Sequence, residues 1–310
     1  MQEYDVIIIG GGPAGMTAGI YASRAGAKVL ILEKEGVGGQ MAATAKIDNY
    51  PGFKSVNGFD LSQAMLEQVT ALGVDVKYAP VDVLNLKGKT KKVQAGGETY
   101  ETPAVILAMG ASARGIGAKG EKEFTGKGVS YCAVCDGAFF RGKTVAVVGG
   151  GNTAVGDAIY LAPIVKKLYI IHRRDVFTAQ EVEKAELDKL IKAKNSNIEL
   201  KLNSVIESVK GDKVLNSVTL RNVKKNTTEE LPLDGVFVAV GRNPNTEMLD
   251  GVVELNGGYV VANERMETNV TGVFAAGDVV VKQLRQIATA VSDGAVAGTN
   301  AAVFAKKSKK

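Results

Sequence analysis

Tyr4-Asp5-Val6-Ile7-Ile8-Ile9-Gly10-Gly11-Gly12-Pro13-Ala14-Gly15 opens the chain and decides its fold class. The apolar run before Gly10 does not alternate, as expected of a strand covered on both faces. Gly10 turns the chain into a helical pattern through Met16 to Ala25, and Lys28 to Leu32 reads as a second strand. Strand, glycine loop, helix and strand make a βαβ unit of the dinucleotide-binding kind. Its first glycine permits a tight turn, the second lets backbone approach a pyrophosphate, and the third lets helix and strand pack closely. The free N–H groups and positive dipole end of the helix face the phosphates. Glu33, ending the second strand, is placed to accept hydrogen bonds from ribose hydroxyls.

The same grammar returns. Thr144 to Val148 is a strand, Gly149-Gly150-Gly151 a loop, Asn152 towards Leu161 a helix, and Leu168 to Ile171 a strand. Gly10, Gly12 and Gly15 match Gly149, Gly151 and Ala154 at identical spacing, and Glu33 matches His172. The second copy carries no acid there but His172-Arg173-Arg174. A carboxylate would repel a 2′-phosphate, whereas guanidinium groups bind one through charge-assisted hydrogen bonds, so this copy favours NADPH over NADH. Strands ending at Gly110 and Gly241, each followed by a loose or turn-prone stretch, read as linkers. The fold class is therefore α/β, with two dinucleotide-binding (Rossmann-like) domains, the second inserted into the first. The expected bounds are 1–113 and 244–310 for the outer domain and 114–243 for the inserted one.

Between the two loops lie the chain's only cysteines, Cys132-Ala133-Val134-Cys135, followed by Asp136. Four-coordinate zinc needs four N or S donors, and two cysteines with one histidine already in a cofactor loop do not supply them. Two inert cysteines would rarely fall at this spacing, so a redox dithiol is the stronger reading. With His172 the only histidine, Asp136 is the nearest candidate to carry protons for thiol chemistry, against the plainer reading of a solvated or capping acid.

Composition agrees with an ordinary globular protein: 310 residues, 45% apolar and 23% charged, with 37 glycines that fall outside low-complexity runs, several of them at strand-to-helix corners. The formal charge of +5 sits largely in Lys306, Lys307, Lys309 and Lys310, and the rest of the chain is nearly neutral. That tail reads as a solvated helix end, and nothing else points to nucleic acid. No stretch approaches the ~20 apolar residues of a membrane span, and the acidic start is no signal peptide. The expectation is a cytoplasmic protein with neither nucleic-acid nor membrane partners. Near the end, Val273-Phe274-Ala275-Ala276-Gly277-Asp278 delivers an acid to a glycine corner. A helical pattern from Ile287 to Phe304 follows Leu284-Arg285-Gln286.

Taken in order, GGGPAG, Gly38-Gly39-Gln40, Asp48-Asn49-Tyr50-Pro51-Gly52, Cys-Ala-Val-Cys-Asp, GGGNTAV, His-Arg-Arg and GVFAAGDV with Arg285-Gln286 closely resemble the low-molecular-weight thioredoxin reductases of bacteria. The resemblance spans essentially the whole chain. It implies FAD in the two-part domain, NADPH in the inserted one, a homodimer, and thioredoxin or a thioredoxin-like protein as acceptor. By it, Cys135 faces the flavin and forms the charge-transfer thiolate, Cys132 attacks the partner disulfide, and Asp136 handles protons. The positions it implies for FAD are Gly10, Gly12, Pro13, Ala14, Gly15, Glu33, Lys34, Gly38, Gly39, Gln40, Asn49, Ala111, Gly277, Asp278, Arg285, Gln286 and Ile287. Those for NADPH are Gly149, Gly151, Asn152, Thr153, His172, Arg173 and Arg174. One departure concerns the NADPH loop, where Thr178 stands in place of a further arginine, and a weaker or less strict NADPH preference is expected. Arg242-Asn243 departs as well, without an interpretation. The rival readings are a related flavin disulfide reductase serving another redoxin or taking electrons from ferredoxin, and a non-catalytic nucleotide-binding protein whose redox state controls a partner.

Overall fold

The structure, a computed structural model, describes residues 2–42, 44 and 47–309. The chain divides into two compact units, Met1–Ser112 with Asn243–Lys310, and Ala113–Arg242.

The first unit begins with β1 (Val6–Ile9), α1 (Pro13–Arg24), β2 (Val29–Glu33), α2 (Gly58–Ala71) and β3 (Asp75–Tyr78). An antiparallel meander, Val81–Asn85, Lys91–Ala95 and Glu98–Thr102, precedes β4 (Ala104–Leu107). The second unit contains β5 (Val129–Ser130), α3 (Ala133–Asp136), β6 (Thr144–Val148), α4 (Asn152–Leu161), β7 (Lys167–His172), α5 (Glu181–Lys192) and β8 (Ile198–Leu202). A second meander, Ser204–Gly211, Leu215–Asn222 and Thr227–Pro232, precedes β9 (Gly235–Val238). The chain then returns to the first unit for β10 (Val273–Ala275) and α6 (Ile287–Ser308).

Both units carry a five-stranded parallel sheet, ordered β10-β4-β1-β2-β3 in the first and β5-β9-β6-β7-β8 in the second. In each sheet the central loop-bearing strand lies between the strand that follows its helix and the strand that follows the meander. The registers correspond: Ile9 pairs with Leu32 and Leu107, and Val148 pairs with Ile171 and Val238.

The unbroken apolar runs follow from this topology. Successive side chains of a strand point to opposite faces. Val6 and Ile8 join Met16, Ile31, Ile106 and Phe274 beneath the helices, while Ile7 and Ile9 join Leu30, Val105 and Tyr100 beneath the meander. In the second unit Val145 and Val147 pack with Ala158, Leu161 and Phe237, whereas Ala146 and Val148 pack with Ile206, Val218 and Leu220. Burial of one such side chain contributes about 1.5–3 kcal/mol, so neither face has room for a polar position.

α1 starts at Pro13, three residues before the helical pattern expected from Met16, because proline's fixed φ suits the first helical position. α6 runs past Phe304 into the basic tail, where Lys306 and Lys307 occupy its last turn beside the carbonyl end of the dipole. Lys309 Nζ lies 2.6 Å from Asp5 Oδ1.

Candidate active site

In the first unit the glycine loop is held by backbone geometry that a side chain would break. Gly10 has φ +107°, and a Cβ there would overlap the Ala108 carbonyl oxygen. Gly15 lies where a Cβ would overlap the Gly10 carbonyl, so helix and strand meet at contact distance. Gly12, by contrast, faces open space, and no side chain caps α1. Pro13 takes the first helical position and Ala14 is buried beneath it. A helix end with uncapped N–H groups and an open glycine before it has the chemistry a pyrophosphate needs. Glu33, buried at the end of β2, accepts hydrogen bonds from Gly11 N at 2.7 Å and Glu35 N at 3.0 Å. Lys34 beside it points to solvent and pairs with Glu35.

The remaining positions of the first loop's neighbourhood come from distant sequence. Gly38 N donates to Gly11 O at 2.8 Å, which sets Gly38 and Gly39 against the loop. The Gln40 amide donates to the Ala111 carbonyl. Asn49 Nδ2 donates to Gln286 Oε1 at 3.1 Å, and Gln286 and Thr289 form a capping box at the start of α6, where Ile287 is the first helical residue. A Cβ at Gly277 would press on Ala14, so the corner bearing Asp278 abuts the start of α1. Gly277 N in turn donates to Asp293 Oδ2 on α6 at 2.9 Å, an oxygen that also takes Lys282 Nζ. Arg285 stands apart in kind. Its guanidinium donates to the carbonyls of Asp278, Val280 and Lys282 and lies 4.0 Å from the Tyr259 ring centroid. It braces the loop between the glycine corner and α6.

The second unit repeats the loop with a different support. Gly149 has φ +147°, and a Cβ there would overlap Ala239 O, the counterpart of Ala108 O. At Gly151 a Cβ would meet only Thr178 Oγ1, at ordinary contact distance, and Asn152 and Thr153 begin α4 with exposed side chains. Asn152 Oδ1 accepts from Gln180 N at 2.9 Å. His172, only 7% exposed, lays its ring against the α-carbon of Gly150 and stacks on Phe177, with Nε2 3.0 Å from Val176 O. Burial, aided by Arg174 and Arg173, holds the imidazole below its ordinary value against the opposing Val176 bond, which keeps it neutral. Arg173 and Arg174 are exposed at the mouth of the loop.

The dithiol lies on the same unit. Cys132 and Cys135 form a disulfide, with Cα atoms 5.3 Å apart. Cys132 is the N-cap of α3, and Cys135 N donates to its Sγ at 3.2 Å. In the disulfide, that N–H is aimed at the Cys132 sulfur. Asp136 is half-buried; burial raises its carboxyl above the usual range, and a hydrogen bond from Ser130 opposes the rise.

The sequence matches the pyridine nucleotide-disulphide oxidoreductase family over residues 4–294. The chain belongs to that family. The oxidoreductase is 44% identical over 308 residues to the thioredoxin reductase of Listeria innocua, covering 99% of this chain and 95% of that protein. It is 43% identical over 296 residues to the thioredoxin reductase of Bacillus subtilis, covering 95% and 92%. The crystal structure of thioredoxin reductase from Streptococcus pyogenes superposes with a TM-score of 0.88 at 40% identity, covering 98% and 99% of the two chains.

Three features of the oxidoreductase escape a reading of its motifs. Ser130 Oγ donates to Asp136 Oδ2 at 2.7 Å and accepts from Cys132 N at 3.1 Å. The next residue, Tyr131, gives its hydroxyl to Glu121 at 3.0 Å, and the same buried carboxylate takes Ile116 N and Gly117 N. Thr178, which the sequence marks only as a missing arginine, donates to Gly150 O from both its N (2.7 Å) and its Oγ1 (3.2 Å). It clamps the second glycine loop.

Proposed function

We propose that this oxidoreductase is an NADPH-dependent thioredoxin-disulfide reductase, with FAD held by the first unit and NADPH by the second. The observation that carries the reading is one chain holding a Cys132–Cys135 disulfide beside a desolvated Asp136 together with two dinucleotide loops of different chemistry. Around the first loop, Gly12, Glu33, Gly39, Asn49, Asp278 and Gln286 would hold FAD. Around the second, Gly151, Asn152, Thr153, Arg173 and Arg174 would hold NADPH, the arginines meeting a 2′-phosphate. When bound, the two cofactors supply the hydride chemistry and the electron pair that open the disulfide.

The chain's own residues then handle sulfur and proton. Cys132, stabilised as thiolate by Cys135 N–H, attacks a sulfur of the oxidised partner and forms a mixed disulfide. Cys135 attacks Cys132 in turn, which releases the partner as a dithiol and restores the internal disulfide. Asp136 accepts the Cys135 thiol proton and returns it to one leaving sulfur of the partner, the other taking its proton from water; a carboxyl raised above its usual range suits both directions. The resemblance supports a homodimer and a cytoplasmic setting. Among the described residues no helix is long and apolar enough to cross a membrane.

An anaerobic titration of the oxidised protein with NADPH, following flavin absorbance and free thiols, tests the reading. Bleaching with two new thiols that fail to appear in Cys135→Ser is the expected result. A yellow protein that NADPH does not bleach would overturn the donor assignment.

A further inference from the structure

We propose that Ser130 is a positioning residue for the dithiol chemistry: its hydroxyl receives the Cys132 N–H, hands its own hydrogen to Asp136, and so holds the carboxylate in register with the redox-active turn. The inference rests on the reading of Asp136 as proton carrier and adds the residue that orients it.

The geometry separates this role from the ordinary one. A serine at a strand end commonly bonds the N–H two residues ahead, and Ser130 does so at Cys132. A purely local turn would leave the hydroxyl hydrogen to the Cys132 carbonyl, which lies 3.3 Å away. The carboxylate oxygen, six residues on, is at 2.7 Å. A hydroxyl has one hydrogen, and the shorter bond to a charged acceptor is the stronger. Ser130 is 6% exposed, so water does not readily replace it on either side. Asp136 N also donates to Cys132 O at 3.1 Å, which closes the turn from the backbone side. Cys132 and Asp136 are thus joined twice, once through the main chain and once through Ser130.

Among the described residues, no charged side chain figures among the influences on Asp136, which are burial and the Ser130 hydrogen bond. Among the described elements, the Gly137–Phe140 turn, which carries no charge, and α4, whose titratable groups are Asp157 and Tyr160, make the main contacts with α3. Burial raises the Asp136 carboxyl and the Ser130 hydrogen bond opposes the rise. Asp157, itself pushed up to about 6 by burial against the pull of Arg242, titrates separately. Removing the Ser130 hydroxyl therefore takes away a hydrogen bond that favours ionised Asp136, and its titration is expected to move up.

The test compares wild type with Ser130→Ala, Ser130→Thr and Asp136→Asn, each checked for folding by far-ultraviolet circular dichroism. After reduction with dithiothreitol, the pH dependence of cysteine alkylation by iodoacetamide is followed by mass spectrometry, a readout independent of flavin turnover. Single-turnover oxidation by oxidised thioredoxin is followed in parallel. The limb that Asp136→Asn abolishes is expected to move up by about one pH unit in Ser130→Ala and to return in Ser130→Thr, which keeps the hydroxyl. A Ser130→Ala profile superimposed on wild type, with the limb still lost in Asp136→Asn, overturns the role of Ser130 alone. A shift that Ser130→Thr fails to reverse also overturns it, since the hydroxyl would not be the cause. A limb that survives in Asp136→Asn overturns the proton-carrier reading and this inference with it.

Discussion

At Gly11 the first loop donates its N–H to Glu33, whereas at the equivalent Gly150 the second loop rests on the ring of His172. The backbones solve one problem in the same way, with a glycine at positive φ crossing over a carbonyl oxygen at Ala108 or Ala239. The supports differ in what they leave outside. In the first unit an acid fixed by two backbone N–H groups ends the strand. A neutral imidazole buried under the loop occupies the same position without charge, and the two arginines that follow give the strand end the opposite sign. The two loops thus hold the same shape on supports of different charge.

The comparison is broken most severely by closing the shared turn. Gly10→Ala and Gly149→Ala each drive a Cβ into a carbonyl at a φ that side chains avoid, at a cost of about 3 kcal/mol. Urea midpoints should fall for both. Gly10→Ala should also shed flavin, whereas Gly149→Ala should keep its colour and lose NADPH binding. A Gly149→Ala protein with native stability would show that the two turns are not equivalent.

The difference in sign is sharpened by Arg173→Gln with Arg174→Gln. Loss of charge-assisted bonds to a 2′-phosphate should raise the KM for NADPH about 10- to 100-fold and leave that for NADH and the flavin content nearly unchanged. Equal effects on both nucleotides would mean that the arginines do not read the phosphate.

The smallest effect concerns His172. Its folded value lies below the ordinary 6.5, so the unfolded chain takes up a proton that the folded chain refuses. Stability from this group is present above that ordinary value and is lost as the pH falls towards the folded value. Thermal midpoints of wild type should therefore drop more than those of His172→Gln between about pH 7 and 5. Parallel curves would place the imidazole in contact with solvent.

Both loops were legible because each glycine, the strand before it and the group ending the next strand fall at fixed spacing, and local spacing is what a sequence displays. The meanders were not: Lys91 to Ala95 and Thr227 to Pro232 mix charge with few apolar residues, and their pairing is set by the sheet they cover. The link between Asn49 and Gln286 joins residues 237 apart and leaves no local mark. Ser130 reads as a turn residue until its second bond is seen. Arg285 is an FAD position by resemblance, and the structure adds that its guanidinium meets three carbonyls and the Tyr259 face, a bracing role that no pattern of residue types announces.

The sheet order also sets a schedule for synthesis. β10 pairs with β4, and α6 packs on α1 so closely that a Cβ at Gly294 or Gly298 would overlap the carbonyls of Ala14 or Ala18. Both of these partners of the first segment follow the second unit in chain order. The second unit is continuous, so its sheet can close while the ribosome is still adding the remainder. The first unit must wait, with one edge of its sheet and one face of α1 exposed. Long-range closure of this kind is slow and leaves apolar surface open to aggregation, so loss of the C-terminal helix would impair folding of the N-terminal segment well before it touched any chemistry.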